Sequence, residues 1–309
     1  MAATMDKELI VVGGGVAGCT AAMYAKRYNL DVILLEKAAP GGQTASASEI
    51  ENYPGFPDGI SGFELAERVH QQAEKTGVEF VQGNADRLER DDSHWVVKTS
   101  VGDIRTVAVI AATGASPRRL KVPGEMDLYG KGVSYCATCD GMFYRGKTVA
   151  VIGGGNTAVD EAVYLSDICE KVYLVHRRDR LRAEDTLQQR AFKRPNIDFI
   201  WDSVVSEVVG PDFVTGLRIK NVNTEELRNL AVDGVFVAIG HDPQTGWLEG
   251  VVELNQGYVI ADLTMATSAP GIFVAGDTRD TPLRQITTAV GDAAIAAFSA
   301  YQYVLNFRD

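Results

Sequence analysis

Cysteine is scarce in this chain. Four cysteines in 309 residues are too few and too scattered for a disulfide scaffold, and such usage fits a reducing compartment. Positive charge is also short. Against 41 Asp and Glu there are 30 Lys and Arg, a net charge of −11, which argues against a nucleic-acid partner because such proteins normally carry a basic face. No apolar run approaches the ~20 residues that a membrane helix needs, and Met1 to Glu8 lack the apolar core of a signal peptide. A hydrophobic content of 46% beside 23% charged residues leaves no room for wholesale disorder. The expectation is a soluble, cytoplasmic protein, long enough for two domains with a core each.

What is present is concentrated. Two of the four cysteines stand three positions apart, in Cys136-Ala137-Thr138-Cys139-Asp140. Such a pair closes a small disulfide ring that is easily oxidised and reduced, and one of its thiols usually ionises near pH ~7 or lower. Asp140 is placed to give or take a proton as a thiol becomes a thiolate. The competing reading is half a zinc site, but zinc wants four ligands in a tetrahedron. No second Cys-x-x-Cys or local His pair completes a set, so a redox dithiol is expected and no metal. Cys19 and Cys169 stand alone in predicted helices and read as small buried hydrophobes. Tyr53, Phe143 and Trp201 read as apolar fillers.

On either side of the dithiol lies a glycine-rich turn. The first follows the apolar strand Leu9 to Val12: Gly13-Gly14-Gly15-Val16-Ala17-Gly18, then an Ala-rich helix through Lys26, then a strand from Asp31 that ends on Glu36. Glycines allow a tight turn and let a pyrophosphate approach a helix N-terminus, where free N–H groups and the helix dipole favour negative charge. An acid about 20 residues on accepts ribose hydroxyls. Glu36 would repel a ribose phosphate, which leaves FAD or NAD rather than NADP.

The second turn follows the strand Thr148 to Ile152: Gly153-Gly154-Gly155-Asn156-Thr157-Ala158, a helix over 159–165, and the strand Val172 to Val175. That strand ends not on an acid but on His176-Arg177-Arg178, with Arg182 close behind. Guanidinium groups fork two hydrogen bonds onto a phosphate, so cations here point to the 2′-phosphate of NADP. Two fingerprints of opposite sign imply two nucleotides, with electrons passing between them.

The remaining stretches set the organisation. Pro40-Gly41-Gly42-Gln43 and Glu51 to Pro57 read as an ordered loop, residues 63–74 as an amphipathic helix, and 78–102 as strands. Val107 to Ala115 is an apolar strand, and Ser116 to Arg119 a crossing between domains. Val235 to Gly240 is a buried strand, followed by a return crossing over His241 to Thr245. Gly271 to Val274 delivers Gly276-Asp277, and Arg284-Gln285-Ile286 precede a long Ala-rich helix over 287–303.

Together these residues resemble the low-molecular-weight, bacterial-type thioredoxin reductases, flavoproteins of the pyridine nucleotide-disulfide oxidoreductases, from about Lys7 to the C-terminus. The resemblance implies an α/β fold of two Rossmann-like, three-layer ββα dinucleotide-binding domains, with an FAD domain (1–116 and 246–309) split by an inserted NADPH domain (117–245) that carries the dithiol. It implies that Cys139 takes electrons from the flavin, that Cys136 is presented to thioredoxin or a thioredoxin-like protein, and that Asp140 is the acid–base group. FAD is then held by Gly13, Gly15, Gly18, Glu36, Gly42, Gln43, Asn52, Gly276, Asp277, Arg284, Gln285 and Ile286. NADPH is held by Gly153, Gly155, Asn156, Thr157, Ala158, His176, Arg177, Arg178 and Arg182. A homodimer is implied too, and a rotation of one domain against the other about the two crossings. Thr44, Asp242 and Gln244 depart from the family pattern without touching this electron path. The alternatives are a ferredoxin-dependent or small-molecule dithiol oxidoreductase of the same fold, which has no need of the arginine set, and a non-enzymatic FAD-binding redox sensor.

Overall fold

The computed structural model describes residues 5–47 and 49–308. The chain divides into two compact units, Met1–Ser116 with Asp242–Asp309, and Pro117–His241. The second boundary thus falls after His241, where the sequence reading puts it after Thr245.

Strand β1 (Met5–Val12) leads through the first glycine turn into α1 (Val16–Arg27), and β2 (Val32–Glu36) lies parallel beside it. After a single 3₁₀ turn at Gly42–Ser46 comes α2 (Gly62–Glu74), whose start is fixed by Ser61: its Oγ accepts the Glu64 N–H at 3.2 Å. Strand β3 (Glu79–Gln82) extends the sheet beyond β2. Then β4 (Ala85–Asp91), β5 (His94–Thr99) and β6 (Gly102–Ala111) form an antiparallel meander. At ten residues β6 is long enough to belong to both layers. Its first half pairs with β5, while it runs parallel to β1 from Ile104 to Ala111.

The first crossing is β7 (Ala115–Pro117), a strand rather than an irregular linker. The inserted unit follows with β8 (Val133–Ser134), the four-residue helix α3 (Ala137–Asp140), β9 (Thr148–Ile152), α4 (Asn156–Ser166), β10 (Lys171–Val175), α5 (Asp185–Phe192) and β11 (Ile197–Ile200). A meander of β12 (Ser203–Val209), β13 (Gly216–Asn221) and β14 (Leu227–Ala231) precedes β15 (Gly234–Val237). The main sheet is parallel in the order β11-β10-β9-β15-β8. The return crossing, β16 (His241–Pro243), pairs with β7. In the first unit again, β17 (Leu254–Asn255) and β18 (Tyr258–Val259) make a small hairpin, and β19 (Ile272–Val274) joins the C-terminal half of β6 in parallel. The chain closes with α6 (Ile286–Arg308).

Both units are three layers because the central strands are apolar on both faces. In β1 the period-2 alternation sends Leu9 and Val11 to the helix side and Ile10 and Val12 to the meander side. On the helix side α1 and α6 meet through alanines, including Ala21, Ala25, Ala293 and Ala297, all inaccessible to solvent. In the inserted unit β9 does the same, Val149 and Val151 facing α4 and Ala150 and Ile152 facing the meander. Cys19 is buried in α1. Cys169 is buried as well, but in the turn after α4 rather than in a helix. Among the described residues no helix is long and apolar enough to cross a membrane.

Candidate active site

The dithiol sits where β8 gives way to α3. Cys136 occupies the N-cap position of α3 and is bonded to Cys139 as a disulfide, so both sulfurs are committed to each other. Ser134, buried at the end of β8, ties the segment together. Its hydroxyl accepts the Cys136 N–H at 3.1 Å and donates to Asp140 Oδ2 at 2.5 Å. Burial pushes the Asp140 carboxyl above the ordinary carboxylate range, and the Ser134 bond pulls partly against that. A carboxyl whose proton affinity is raised, tied to the dithiol segment through Ser134, is suited to moving a proton as the disulfide opens and closes.

Two groups here escape a reading of the sequence. Ser134 has no motif of its own. Glu161, on α4, accepts the Ala137 N–H at 3.3 Å, while its other oxygen is buried without a hydrogen-bond partner among the described residues. Burial, opposed by the Ala137 bond and aided by Asp160, raises it to about 7. The signal available was a carboxylate on a helix face that should be apolar. Phe143, read as a filler, is 38% exposed, with Met142 beside it at 42%. Tyr53 and Trp201 are half-buried and stack on Phe56 and Phe199.

In the first unit the glycine turn is built by two kinds of glycine. Gly13 has φ of +110°, and a Cβ on it would come within 2.3 Å of the Ala112 carbonyl oxygen; a Cβ on Gly18 would lie 1.7 Å from Gly13 O. Those two are demanded by packing. Gly15, the N-cap of α1, has extended backbone and no atom nearer than 3.9 Å to such a Cβ. The fold leaves that space open, as a pyrophosphate at a helix N-terminus requires. Gly41 donates its N–H to Gly14 O at 2.8 Å, so the second glycine pair lies against the first, with Gly42 next to Gly15.

Glu36 ends β2 with both carboxylate oxygens oriented by backbone, Oε2 by Gly14 N–H and Oε1 by Ala38 N–H at 2.9 Å. It lines a cavity of about 300 Å³ with Gly13, Lys37, Asn84, Thr113 and Trp247. The Gln43 amide donates to Ala115 O. Asn52 Nδ2 donates to Gln285 Oε1 at 3.1 Å, which brings the ordered loop to the start of α6, where Ile286 begins the helix. Asp277 lies in the 3₁₀ turn after β19, held above its ordinary value by burial, with Arg284 opposing. Arg284 lies over the Tyr258 ring at 4.2 Å, and its Nε is buried without a partner among the described residues. An open helix N-terminus, an oriented carboxylate at a cavity and an orphaned cationic donor fit a dinucleotide such as FAD.

The inserted unit repeats the plan with the charge reversed. Gly153 is demanded by packing, since a Cβ would meet Ala238 O at 2.4 Å and Ala158 Cβ at 2.6 Å, whereas Gly155 at the N-cap of α4 faces open space. Arg177, Arg178 and Arg182 are exposed, and among the described residues none has a carboxylate partner. The Arg182 N–H donates to Gly154 O at 2.7 Å, which sets that residue beside the turn. An unpaired arginine cluster on a chain of net charge −11 fits a phosphorylated ribose. His176 is not one of the cations: it is buried against Gly154, and burial with the three arginines holds it below the ordinary histidine value. The Asn156 side chain is occupied by Glu184, exchanging two hydrogen bonds with it at 3.0 and 2.9 Å. What Asn156 leaves for a phosphate is its backbone at the start of α4, beside the exposed Thr157.

Two nucleotide cradles and a closed disulfide define a nucleotide-dependent disulfide oxidoreductase. Comparison with known proteins agrees. Residues 7–293 match the family model described as pyridine nucleotide-disulphide oxidoreductase. The thioredoxin reductase of Treponema pallidum is 43% identical over 97% of this chain and 97% of its own. That of Listeria monocytogenes is 41% identical over 98% and 95%. The crystal structure of thioredoxin reductase from Streptococcus pyogenes superposes with a TM-score of 0.94 at 46% identity, covering 99% of this chain and all of the other. The chain belongs to the pyridine nucleotide-disulphide oxidoreductase family and, within it, to the low-molecular-weight thioredoxin reductases.

Proposed function

We propose that this protein is an NADPH-dependent thioredoxin-disulfide reductase, passing electrons from NADPH through FAD and the Cys136–Cys139 dithiol to the disulfide of a thioredoxin. The observation that carries the reading is the closed Cys136–Cys139 disulfide with Asp140 beside it, in a chain with two glycine turns of opposite charge. FAD, when bound, supplies a two-electron carrier between nicotinamide and disulfide. The residues of the chain bind, orient and move protons around it. Glu36, Gln43, Asn52, Asp277 and Gln285 hold FAD about the open turn at Gly15; Arg177, Arg178 and Arg182 select the 2′-phosphate of NADPH at the turn of Gly155. Cys139 receives the electrons, Cys136 is the thiol offered to the partner, and Asp140 supplies and recovers the proton. Met142 and Phe143 give the partner an apolar edge next to the dithiol.

The working unit in this reading is a cytoplasmic homodimer in which the inserted unit turns about β7 and β16, a few residues at element ends being enough to absorb such a change. The handovers need only small potential steps: ~30 mV of a two-electron couple is about 1.4 kcal/mol, and a thioredoxin acceptor sits near roughly −270 mV.

The test is an anaerobic titration of the flavin-loaded protein with NADPH, followed by oxidised thioredoxin, watching the flavin absorbance. Bleaching by NADPH and recovery with thioredoxin, the recovery lost in Cys136→Ser, is the expected result. Bleaching only by reduced ferredoxin or a small dithiol would place the electron entry elsewhere and refute the reading.

A further inference from the structure

At the start of the dithiol helix the structure places a second carboxyl group. Glu161 reaches from α4 to the first residue of α3, its Oε1 accepting the N–H of Ala137, the residue that follows Cys136. Ala137 is fully buried in the core between α3 and α4, and its hydrogen bond to Glu161 is partly buried. The other oxygen, Oε2, is buried and has no hydrogen-bond partner among the described residues. Burial without a partner penalises the ionised carboxylate more than the neutral acid, because an unpaired buried charge costs more than an unpaired buried O–H.

We propose that Glu161 is a positioning residue for the dithiol: it anchors the start of α3 through Ala137 and, by whether it carries a proton, sets how readily the Cys136 thiol ionises. This rests on the reading of Cys136 and Cys139 as a working dithiol. Opening the disulfide takes two electrons and two protons and leaves two thiols; loss of the proton from Cys136 then gives the thiolate that attacks a partner's disulfide. A negative charge on Glu161, one residue away through the Ala137 hydrogen bond, opposes that loss. A neutral Glu161 does not. Burial raises the group to about 7, so its protonation and the ionisation of Cys136 are linked near neutral pH: each favours the other.

Among the described residues, the titratable groups on the elements packed around it include Asp160 and Tyr164 on α4, those of the dithiol segment, and Tyr144 near Asp140. Asp160, its neighbour on α4, is the charge that acts on it while the disulfide is closed. The short helix α3 packed against α4 brings Cys136, Cys139 and Asp140, and Asp140 is held by Ser134 from β8. Asp140 serves as a proton donor and acceptor in the reading above; among the described residues Glu161 has no hydrogen bond to a sulfur, and it acts through the backbone of Ala137.

The experiment is the pH dependence of alkylation of Cys136 by iodoacetamide in the full-length, flavin-loaded Cys139→Ser protein, with the modified residue assigned by mass spectrometry. Neither NADPH nor thioredoxin enters it, so its outcome is separate from that of the proposed electron path. Adding Glu161→Gln, which keeps the oxygen that accepts from Ala137 but removes the charge, is expected to move the inflection to lower pH by about half a unit to one unit. Asp160→Asn, a comparable charge removed from the same helix but not bonded to Ala137, is expected to move it less. Superposable curves for the Glu161→Gln protein and its parent, or an equal shift from Asp160→Asn, would overturn the proposal. Should the Gln variant fail to fold, Glu161→Asp draws the carboxylate back by one methylene and is expected to shift the inflection the same way by less; no shift refutes the role.

Discussion

Ser134 and Asp140 share a hydrogen bond of 2.5 Å in which the hydroxyl donates to the carboxylate, and the same hydroxyl accepts the N–H of Cys136. One small side chain thereby ties together the start of the dithiol helix and the carboxyl proposed to carry its proton. It also accounts for the balance at Asp140, where burial favours the protonated acid and Ser134 favours the anion.

Asp140→Asn keeps an acceptor for Ser134 but cannot move a proton. Turnover of a thioredoxin disulfide is expected to fall by about 10² to 10⁴, the usual contribution of a positioned acid–base group. Flavin reduction by NADPH is expected to be unchanged. Stopped-flow traces of the two half-reactions check this; a slowed flavin reduction would mean that Asp140 supports the nucleotide path instead.

The glycines separate folding from binding. Gly18→Ala would drive a Cβ to 1.7 Å from Gly13 O, an overpacking expected to cost about 3 kcal/mol or more. Gly15→Ala meets nothing closer than 3.9 Å, so stability without flavin is expected to stay within about 0.5 kcal/mol. FAD retention in that variant should drop about tenfold to a hundredfold, ~1.4 to 3 kcal/mol. Thermal melts of the flavin-free proteins and flavin titrations distinguish the two; equal flavin affinity in Gly15→Ala would remove the pyrophosphate from that turn.

The exposed arginines report on nucleotide choice. Arg177→Ala combined with Arg178→Ala is expected to raise KM for NADPH about tenfold to a hundredfold, the loss of about one charge-assisted bond of ~1.5 to 3 kcal/mol net, and to spare NADH. Steady-state kinetics with both nucleotides decide it. An equal loss for both would mark the arginines as structural.

Much of the site was open to reading because its chemistry is local. A strand, a glycine turn and a helix are contiguous, so the two nucleotide turns announce themselves at Gly13 to Gly18 and Gly153 to Ala158, and the structure bears out the elements around them. The opposite charges of Glu36 and the arginines after β10 are likewise a matter of which residue ends a strand. His176 shows the limit. In the sequence it stands with Arg177 and Arg178 as a cation, but the alternation along the strand turns it inward against Gly154, and burial disfavours its charged form. Phe143 shows the converse, an aromatic read as filler that the fold leaves at the surface.

The sequence by itself determined the architecture, the redox pair and the sign of charge at each turn, because apolar runs, cysteine spacing and strand ends are properties of neighbouring residues. Only the tertiary structure decided how Ser134, 6 positions from Asp140, and Glu161, 24 positions from Ala137, come to surround the dithiol. It also decided that Asn52 and Gln285, 233 positions apart, meet. The reason is physical: a proton affinity depends on burial and on hydrogen-bond partners, and those are set by what the fold packs against a residue rather than by the residues beside it in the chain.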